Sequence, residues 1–312
     1  MKNSLHKKNL PSRLEDLRRI AKALDAAAAL LLELRSNPAT PEFKSGGDPV
    51  TAADLATNEL LFRTLPSDGD GWLSEESKDD SSRLDRHRVW IVDPLDGTKE
   101  FIAGIPEWCV SVGLIEDGRA VAGGVSNPAT GEVFLGSLET GFYVSAPRGP
   151  NQFHSQRDRA LVLASRSEVQ RGQWTHLENA PFSVEPVGSI AYRLARVAAG
   201  FADATWTLDL RHEWDVAAGA ALVLAAQGDV RTLDGYPLEF NRPIPRVEGL
   251  IAFSQACQIG FENFPSKLRR CADPAKGRRV GHRMETLTPP STIRDSRADD
   301  HGIRALFEGG LR

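Results

Sequence analysis

The run Trp90-Ile91-Val92-Asp93-Pro94-Leu95-Asp96-Gly97-Thr98 sets two carboxylates three positions apart on a stretch of chain that stiffens itself. Trp90 to Val92 are apolar and β-favouring, and predict the end of a buried strand. Pro94 fixes its own φ and biases Asp93 toward an extended conformation, while Gly97 permits a turn and the close approach of a ligand. Two hard oxygen donors on a rigid turn suit Mg²⁺, which demands near-octahedral oxygen coordination. The N–H groups of Gly97 and Thr98 are expected to open the next helix, and a helix N-terminus attracts phosphate. Metal site and phosphate site thus coincide within six residues. An ordinary Asp-Pro, Asp-Gly turn is the competing reading of this run in isolation.

Three more acidic stretches have similarly plain explanations. Thr51-Ala-Ala-Asp54 precedes a helical pattern carrying Leu55, Leu61, Phe62 and Leu65, and Thr-x-x-Asp is a capping box. Glu75 and Glu76, inside Trp72-Leu73-Ser74-Glu75-Glu76-Ser77, follow a Gly/Asp-rich loop, and adjacent acids are usually solvated surface. Glu213-Trp214-Asp215 leads into the apolar helix Val216–Ala226, where an acid serves the cap and the macrodipole. Each explanation suffices alone; the four stretches together call for another.

Asp48-Pro-Val-Thr-Ala-Ala-Asp54, Ser74-Glu-Glu-Ser77, Asp93-Pro-Leu-Asp-Gly-Thr98, Gly188-Ser-Ile-Ala191 and Trp214-Asp215 occur in the order seen in the inositol monophosphatase superfamily. The chain resembles that superfamily over about residues 12 to 260, and Asp-Pro-Leu-Asp-Gly-Thr is a highly specific element of it. Its members are Mg²⁺-dependent, lithium-sensitive phosphomonoesterases. The resemblance implies that Glu75, Asp93 and the Leu95 carbonyl hold one metal, and that Asp93, Asp96 and Asp215 hold a second. Glu75 would help with a third, weaker ion, making two or three Mg²⁺ per site. Asp54 and Thr98 would orient and deprotonate the attacking water, with Glu75 counted among the catalytic groups. Asp96, Gly97 and Thr98 would bind phosphate, and Gly188 and Ser189 would face the rest of the substrate.

The chemistry fits those residue types. Phosphate monoesters hydrolyse extremely slowly unaided, so the site must lower a large barrier. Metals held by four carboxylates can activate water, neutralise phosphate oxygens and stabilise the departing alkoxide. In-line displacement needs positioning and charge compensation more than a covalent nucleophile. Accordingly the chain has no Gly-x-Ser-x-Gly elbow, and Cys109, Cys257 and Cys271 form no recognisable motif.

Composition sets wider bounds. The 312 residues allow a large core or two packed subdomains, and a net charge of -4 with 26% charged residues does not advertise nucleic-acid binding. Three dispersed cysteines suit a reducing cytoplasm rather than a disulfide framework. Met1 to Arg13 is basic without an apolar core behind it, so no signal peptide is expected, and no apolar run near 18 residues predicts a membrane span. The expected partner is a small phosphorylated substrate, with no membrane and no nucleic acid; a homodimer is compatible with the resemblance.

The elements that must position the site alternate between α and β. Ser12 to Leu34 reads as an amphipathic helix with a Ser12/Glu15 capping box and Leu14, Leu17, Leu24 and Leu31 on its apolar side. After the helix at Thr51 and the strand at Val89, a β-meander is expected at Cys109–Ile115, Ala120–Val125, Glu132–Leu135 and Phe142–Val144. A second half follows: a strand at Leu161–Ala164, a helix at Ala191–Ala199 closed by Gly200, a strand at Ala204–Leu208, the helix from Asp215, and short strands near Val230 and Leu250. The expected fold is α/β, with the layered α/β/α/β architecture of sugar phosphatases. Residues 12–150 would form an α+β subdomain carrying the metal site, and residues 151–262 an α/β subdomain completing it.

Residues 263–312 depart from this pattern, with eleven Lys/Arg against six Asp/Glu and four prolines. They read as a flexible or weakly helical tail, with contact to acidic partners or RNA as the other reading. For substrate, Lys99-Glu100-Phe101 after Thr98, and Ser165-Arg166-Ser167, are most similar to the 3′(2′),5′-bisphosphate nucleotidase branch, which converts adenosine 3′,5′-bisphosphate to AMP. Lys99 and Arg193 are the cations expected near such a substrate. An inositol-1-monophosphatase is the alternative, with fructose-bisphosphatase or histidinol-phosphate activity also open. A non-catalytic metal- or nucleotide-binding protein is the reading from a different class.

Overall fold

Helix α1 (Arg13–Ser36) begins where the sequence places a cap, the Glu15 N–H donating to Ser12 Oγ at 3.3 Å. Its stripe of Leu17, Ile20, Leu24, Ala27 and Leu31 is buried. A short antiparallel ribbon, β1 (Glu42–Phe43) with β2 (Pro49–Val50), precedes α2 (Ala52–Thr64), which starts at a true capping box on Thr51. The computed structural model describes residues 12–36, 42–43, 49–147, 159–177, 180 and 182–257. The basic stretch 263–312, Asp48, and the residues around the expected boundary at 150 lie outside these.

Helices α1 and α2 cover one face of a six-stranded sheet. Its order is β3 (Gly71–Ser74), β4 (Arg88–Asp96), β5 (Cys109–Glu116), β6 (Arg119–Asn127), β7 (Glu132–Ser137) and β8 (Gly141–Ser145). Only the β3–β4 pair is parallel; the other four strands form the expected meander. β4 is apolar at every position from Val89 to Val92 because both its faces are covered. Trp90 and Val92 pack with α1 and α2, while Val89 and Ile91 join the core on the opposite side.

That opposite core is built on α5 (Ile190–Ala198) and α6 (Glu213–Ala225), which lie between the first sheet and a five-stranded one. α6 is apolar all round, as a helix buried on every side must be. A Cβ at Gly219 would sit 2.4 Å from Leu194 Cβ, so glycine there sets how closely α5 and α6 approach. The second sheet runs β10 (Phe182–Val187), β9 (Ala160–Ser165), β11 (Ala204–His212), β13 (Arg246–Phe253), β12 (Asp229–Thr232). Its β10–β9–β11 part is parallel and the rest antiparallel. Its outer face carries Trp174 and Leu177 beside α4 (Arg166–Gln170). The layers are therefore α/β/α/β with a small outer helical cover. Among the described residues no helix is long and apolar enough to cross a membrane.

Two local readings are corrected. The strand at Trp90 does not end at Val92: Asp93 and Asp96 still pair with Ser111 and Cys109 of β5, with a register shift between them where Pro94 has no N–H to donate. β10 and α4 were not foreseen. Pro186 argues against a strand, but β10 is an edge strand, where proline is tolerated.

Candidate active site

The register break leaves Asp93 and Asp96 at the end of β4, and Gly97 turns the chain into α3 (Thr98–Ala103). Gly97 adopts φ 97°, and a Cβ there would meet the Glu107 carbonyl at 3.0 Å, so glycine is required on two counts. The Leu95 N–H donates to Asp93 Oδ1 at 2.9 Å and fixes the first carboxylate. Asp215 is the third residue of α6, where its Oδ2 accepts the His212 N–H at 2.9 Å as a cap. Glu75 follows β3, which runs parallel to β4 and ends with Ser74 opposite Val92, the residue before Asp93. One carboxylate oxygen each from Glu75, Asp93 and Asp215 lies within 4.8 Å of the others.

Asp96 stands beside this trio but turns Oδ2 across to α5, accepting the Ser189 hydroxyl at 2.7 Å and the Ala191 N–H at 2.8 Å. That contact ties the end of the first sheet to a helix packed on the second. Ser189 caps α5 through the Tyr192 N–H at 3.0 Å while held at φ 47°, a strained conformation for a serine. Gly188 donates its N–H to Glu107 Oε2 at 2.7 Å.

Burial first, then the charges of Glu75, Asp96 and Asp215, raise Asp93 well above the usual carboxylate range. Burial likewise raises Asp96, and burial with Asp96 and Glu75 pushes Asp215 up to about 8. Among the described residues Asp93, Asp96 and Asp215 form no ion pair with Lys or Arg. The charge of Arg211 lowers Asp96 and Asp215 without outweighing their burial. Converging buried aspartates with no ion-pair partner among the described residues match a hard divalent ion in donor type and charge.

Asp54 uses both of its carboxylate oxygens. Oδ2 accepts the Thr51 N–H at 2.7 Å and the Thr51 hydroxyl at 2.6 Å, completing the cap. Oδ1 accepts the Thr98 hydroxyl at 3.1 Å, across from α2 to α3. The Leu95 carbonyl lies equally close to that hydroxyl, at 3.1 Å. Burial raises the Asp54 pKa despite the three hydrogen bonds.

These groups line a cleft of about 340 Å³, which brings together Glu75, Asp93, Leu95, Asp96, Gly97, Thr98, Gly188, Ser189 and Asp215. Asp54 is buried behind Thr98. Lys99, Arg166, Arg193 and Arg211 line the same cleft, so both cations expected near a substrate are there. Arg166 is held by Glu107 in a bidentate pair, Nη2 to Oε1 at 2.6 Å and Nε to Oε2 at 3.1 Å. Glu107, Glu168 and Arg211 escaped the sequence reading. Glu168 carries a signal that misleads, since Ser165-Arg-Ser-Glu168 reads as another capping box.

The model of the inositol monophosphatase family matches residues 13–256. A 3′-phosphoadenosine 5′-phosphate phosphatase of Mycobacterium leprae is 34% identical over 266 residues, covering 77% of this chain and 89% of its own. An inositol-1-monophosphatase of Mesorhizobium japonicum is 36% identical over 213 residues, 62% of this chain and 75% of its own. Among solved structures, CysQ from Bacteroides thetaiotaomicron, a bacterial member of the inositol monophosphatase family, aligns with a TM-score of 0.68 at 26% identity, covering 78% of this chain and 98% of that one. Layered fold and acidic cleft thus agree on a phosphoric monoester hydrolase. The chain belongs to the inositol monophosphatase family.

Proposed function

We propose that this chain is a Mg²⁺-dependent, lithium-sensitive phosphomonoesterase that removes the 3′-phosphate of adenosine 3′,5′-bisphosphate to give AMP. The observation that carries the reaction class is the convergence of Glu75, Asp93 and Asp215 beside the Gly97–Thr98 turn. Glu75, Asp93, the Leu95 carbonyl, Asp96 and Asp215 would hold the metal ions. Mg²⁺ bound there supplies charge for the phosphate oxygens and lowers the pKa of water.

The chain's own residues do the rest. Gly97 and Thr98 present the N–H groups that open α3 to a phosphate oxygen. When the Thr98 hydroxyl donates to Asp54 Oδ1, its oxygen is left with a lone pair that orients the attacking water. The raised pKa of Asp54 suits it to take up the proton through Thr98. The water oxygen bonds to phosphorus as the ester P–O bond breaks, and the departing 3′-oxygen takes up a proton from solvent to leave as the hydroxyl of AMP. Asp54→Asn is expected to cut kcat about 10²-fold with metal binding near normal; full activity would return Asp54 to its capping role alone.

The cations lining the cleft support a substrate with a second anionic group, as does the 34% identity to a protein named for 3′-phosphoadenosine 5′-phosphate. Hydrolysis of inositol 1-phosphate is the second reading, favoured by the 36% identity of the Mesorhizobium protein. The test is kcat/KM on adenosine 3′,5′-bisphosphate, inositol 1-phosphate, fructose 1,6-bisphosphate and histidinol phosphate at one Mg²⁺ concentration. The nucleotide is expected to lead by about tenfold or more, equal to ~1.4 kcal/mol of differential transition-state binding. Inhibition by submillimolar to millimolar Li⁺ should accompany it. Equal turnover or an inositol preference would sink the nucleotide assignment.

A further inference from the structure

Arg211 is a cleft cation placed by an irregularity of the second sheet. β11 pairs with β13 through Thr207–Leu250 and then Leu210–Glu248, three steps on one strand against two on the other. One extra residue therefore bulges out of β11, and a bulge re-aims the side chains beyond it. Those side chains are Leu210 and Arg211, and both line the cleft.

A buried carboxylate holds the guanidinium. Glu168 of α4 is fully buried, and its Oε2 accepts the Trp174 indole N–H at 3.1 Å. Its Oε1 accepts the Thr207 hydroxyl and, at 3.3 Å, Arg211 Nη2. Thr207 Oγ1 also accepts Arg211 Nε at 3.3 Å. Trp174 stacks on Trp206 with centroids 4.6 Å apart, which keeps this frame rigid. Among the described residues Arg211 Nη1 makes no hydrogen bond, so one edge of the fork remains for a ligand.

The charge of this wall is not balanced from within. Arg193, 1% exposed, donates to Thr205 Oγ1 at 2.9 Å and to the Trp206 carbonyl at 3.3 Å, and has no carboxylate within ion-pair distance among the described residues. Its Nε has no partner among the described residues. Arg211 also has Asp209 Oδ2 at 4.0 Å, but that carboxylate is shared with Arg171. Arg171, Arg193 and Arg211 thus meet two carboxylates, Glu168 and Asp209, which leaves one positive charge in excess. Leu210, 49% exposed, places an apolar surface beside them, suited to the organic body of a substrate.

We propose that Arg211, aimed by the β11 bulge and held by Glu168, is the specificity-determining residue that binds a second, non-reacting phosphate of the substrate, with Glu168 as its positioning residue. The inference rests on the nucleotide reading above and extends it to a particular side chain. Arg211 serves this role better than lysine would, because a planar fork can hold Glu168 and Thr207 and still present a free edge to an anion.

The matched substrates are adenosine 3′,5′-bisphosphate and adenosine 3′-monophosphate, which differ only in the second phosphate. In the wild type the ratio of their kcat/KM values should favour the bisphosphate by about tenfold or more. In Arg211→Gln that ratio should fall toward one, with the loss carried by KM of the bisphosphate rather than by kcat. Arg211→Lys should recover part of it. Glu168→Gln should shift the same ratio in the same direction by less, and if that variant does not fold, the two Arg211 variants decide. A folded Arg211→Gln that keeps the wild-type ratio, or loses kcat equally on both nucleotides, overturns the inference and leaves the nucleotide reading intact. A wild type indifferent to the second phosphate overturns both.

Discussion

β4 carries a cluster of buried acids at each end, and the two are balanced in opposite ways. At its start, Arg88 donates to Asp16 at 2.7 Å, to Glu116 at 2.8 Å and to Asp70 at 3.3 Å. Arg13 adds Glu116 at 2.8 Å and Asp16 at 3.0 Å. Burial alone would raise Glu116, but the two arginines outweigh it and hold its carboxyl below the usual range. At the far end, about 26 Å along the strand at its usual rise, Asp93, Asp96 and Asp215 form no ion pair among the described residues and are all raised. The first cluster is complete within the chain and serves to pin α1 to the sheet. The second has only the longer-range charge of Arg211, which does not outweigh burial, and that difference is what the proposed metal site rests on.

The largest expected effect is on catalysis. Asp93→Asn should lower kcat on the order of 10³-fold, while raising the thermal stability of the metal-free protein at alkaline pH, where ionised Asp93 is a buried, mutually repelling charge. A metal-free Asp93→Asn less stable than wild type there would break the comparison. Next comes Arg88→Met, which strands Asp16 without its closest cation and should cost about 3–5 kcal/mol in denaturant unfolding, with little change in kcat for the folded fraction.

The pH dependence follows with a definite sign. Asp215 binds a proton more tightly in the folded, metal-free chain, near pH 8, than in the unfolded one. Between about pH 4 and pH 8 the folded state therefore holds the extra proton, and stability falls as pH rises through that window. Melting temperatures of EDTA-treated protein should decline across it, and Mg²⁺ should restore most at the alkaline end, where no proton competes with it. The smallest effect belongs to Arg13→Gln, which leaves Arg88 in place and should cost about 1 kcal/mol by the same unfolding measurement.

The candidate site was largely legible because its carboxylates sit on stiff, recognisable turns. Asp93-Pro-Leu-Asp-Gly-Thr98 and the caps at Thr51 and Asp215 are local signals, and the structure uses those caps as caps. Long strands and helices with clear periods were equally readable. What escaped depends on distant pairings. Asp16 sits in the first turn of α1 and reads as a dipole partner, yet it meets Arg88 seventy-two positions away. Glu168 looks like a cap residue, yet its carboxylate meets Trp174, Thr207 and Arg211. β10 is hidden by Pro186, and nothing local announces the β11 bulge that aims Arg211.

The central claim is that the uncompensated acids at the end of β4 form a metal-dependent phosphatase centre. Phosphate release from adenosine 3′,5′-bisphosphate, followed as free Mg²⁺ is raised from an EDTA-stripped start, tests it most directly. The account predicts no release without metal and a saturable rise with Mg²⁺ that Asp93→Asn abolishes. Release that persists in EDTA, or that survives Asp93→Asn at full rate, would contradict it.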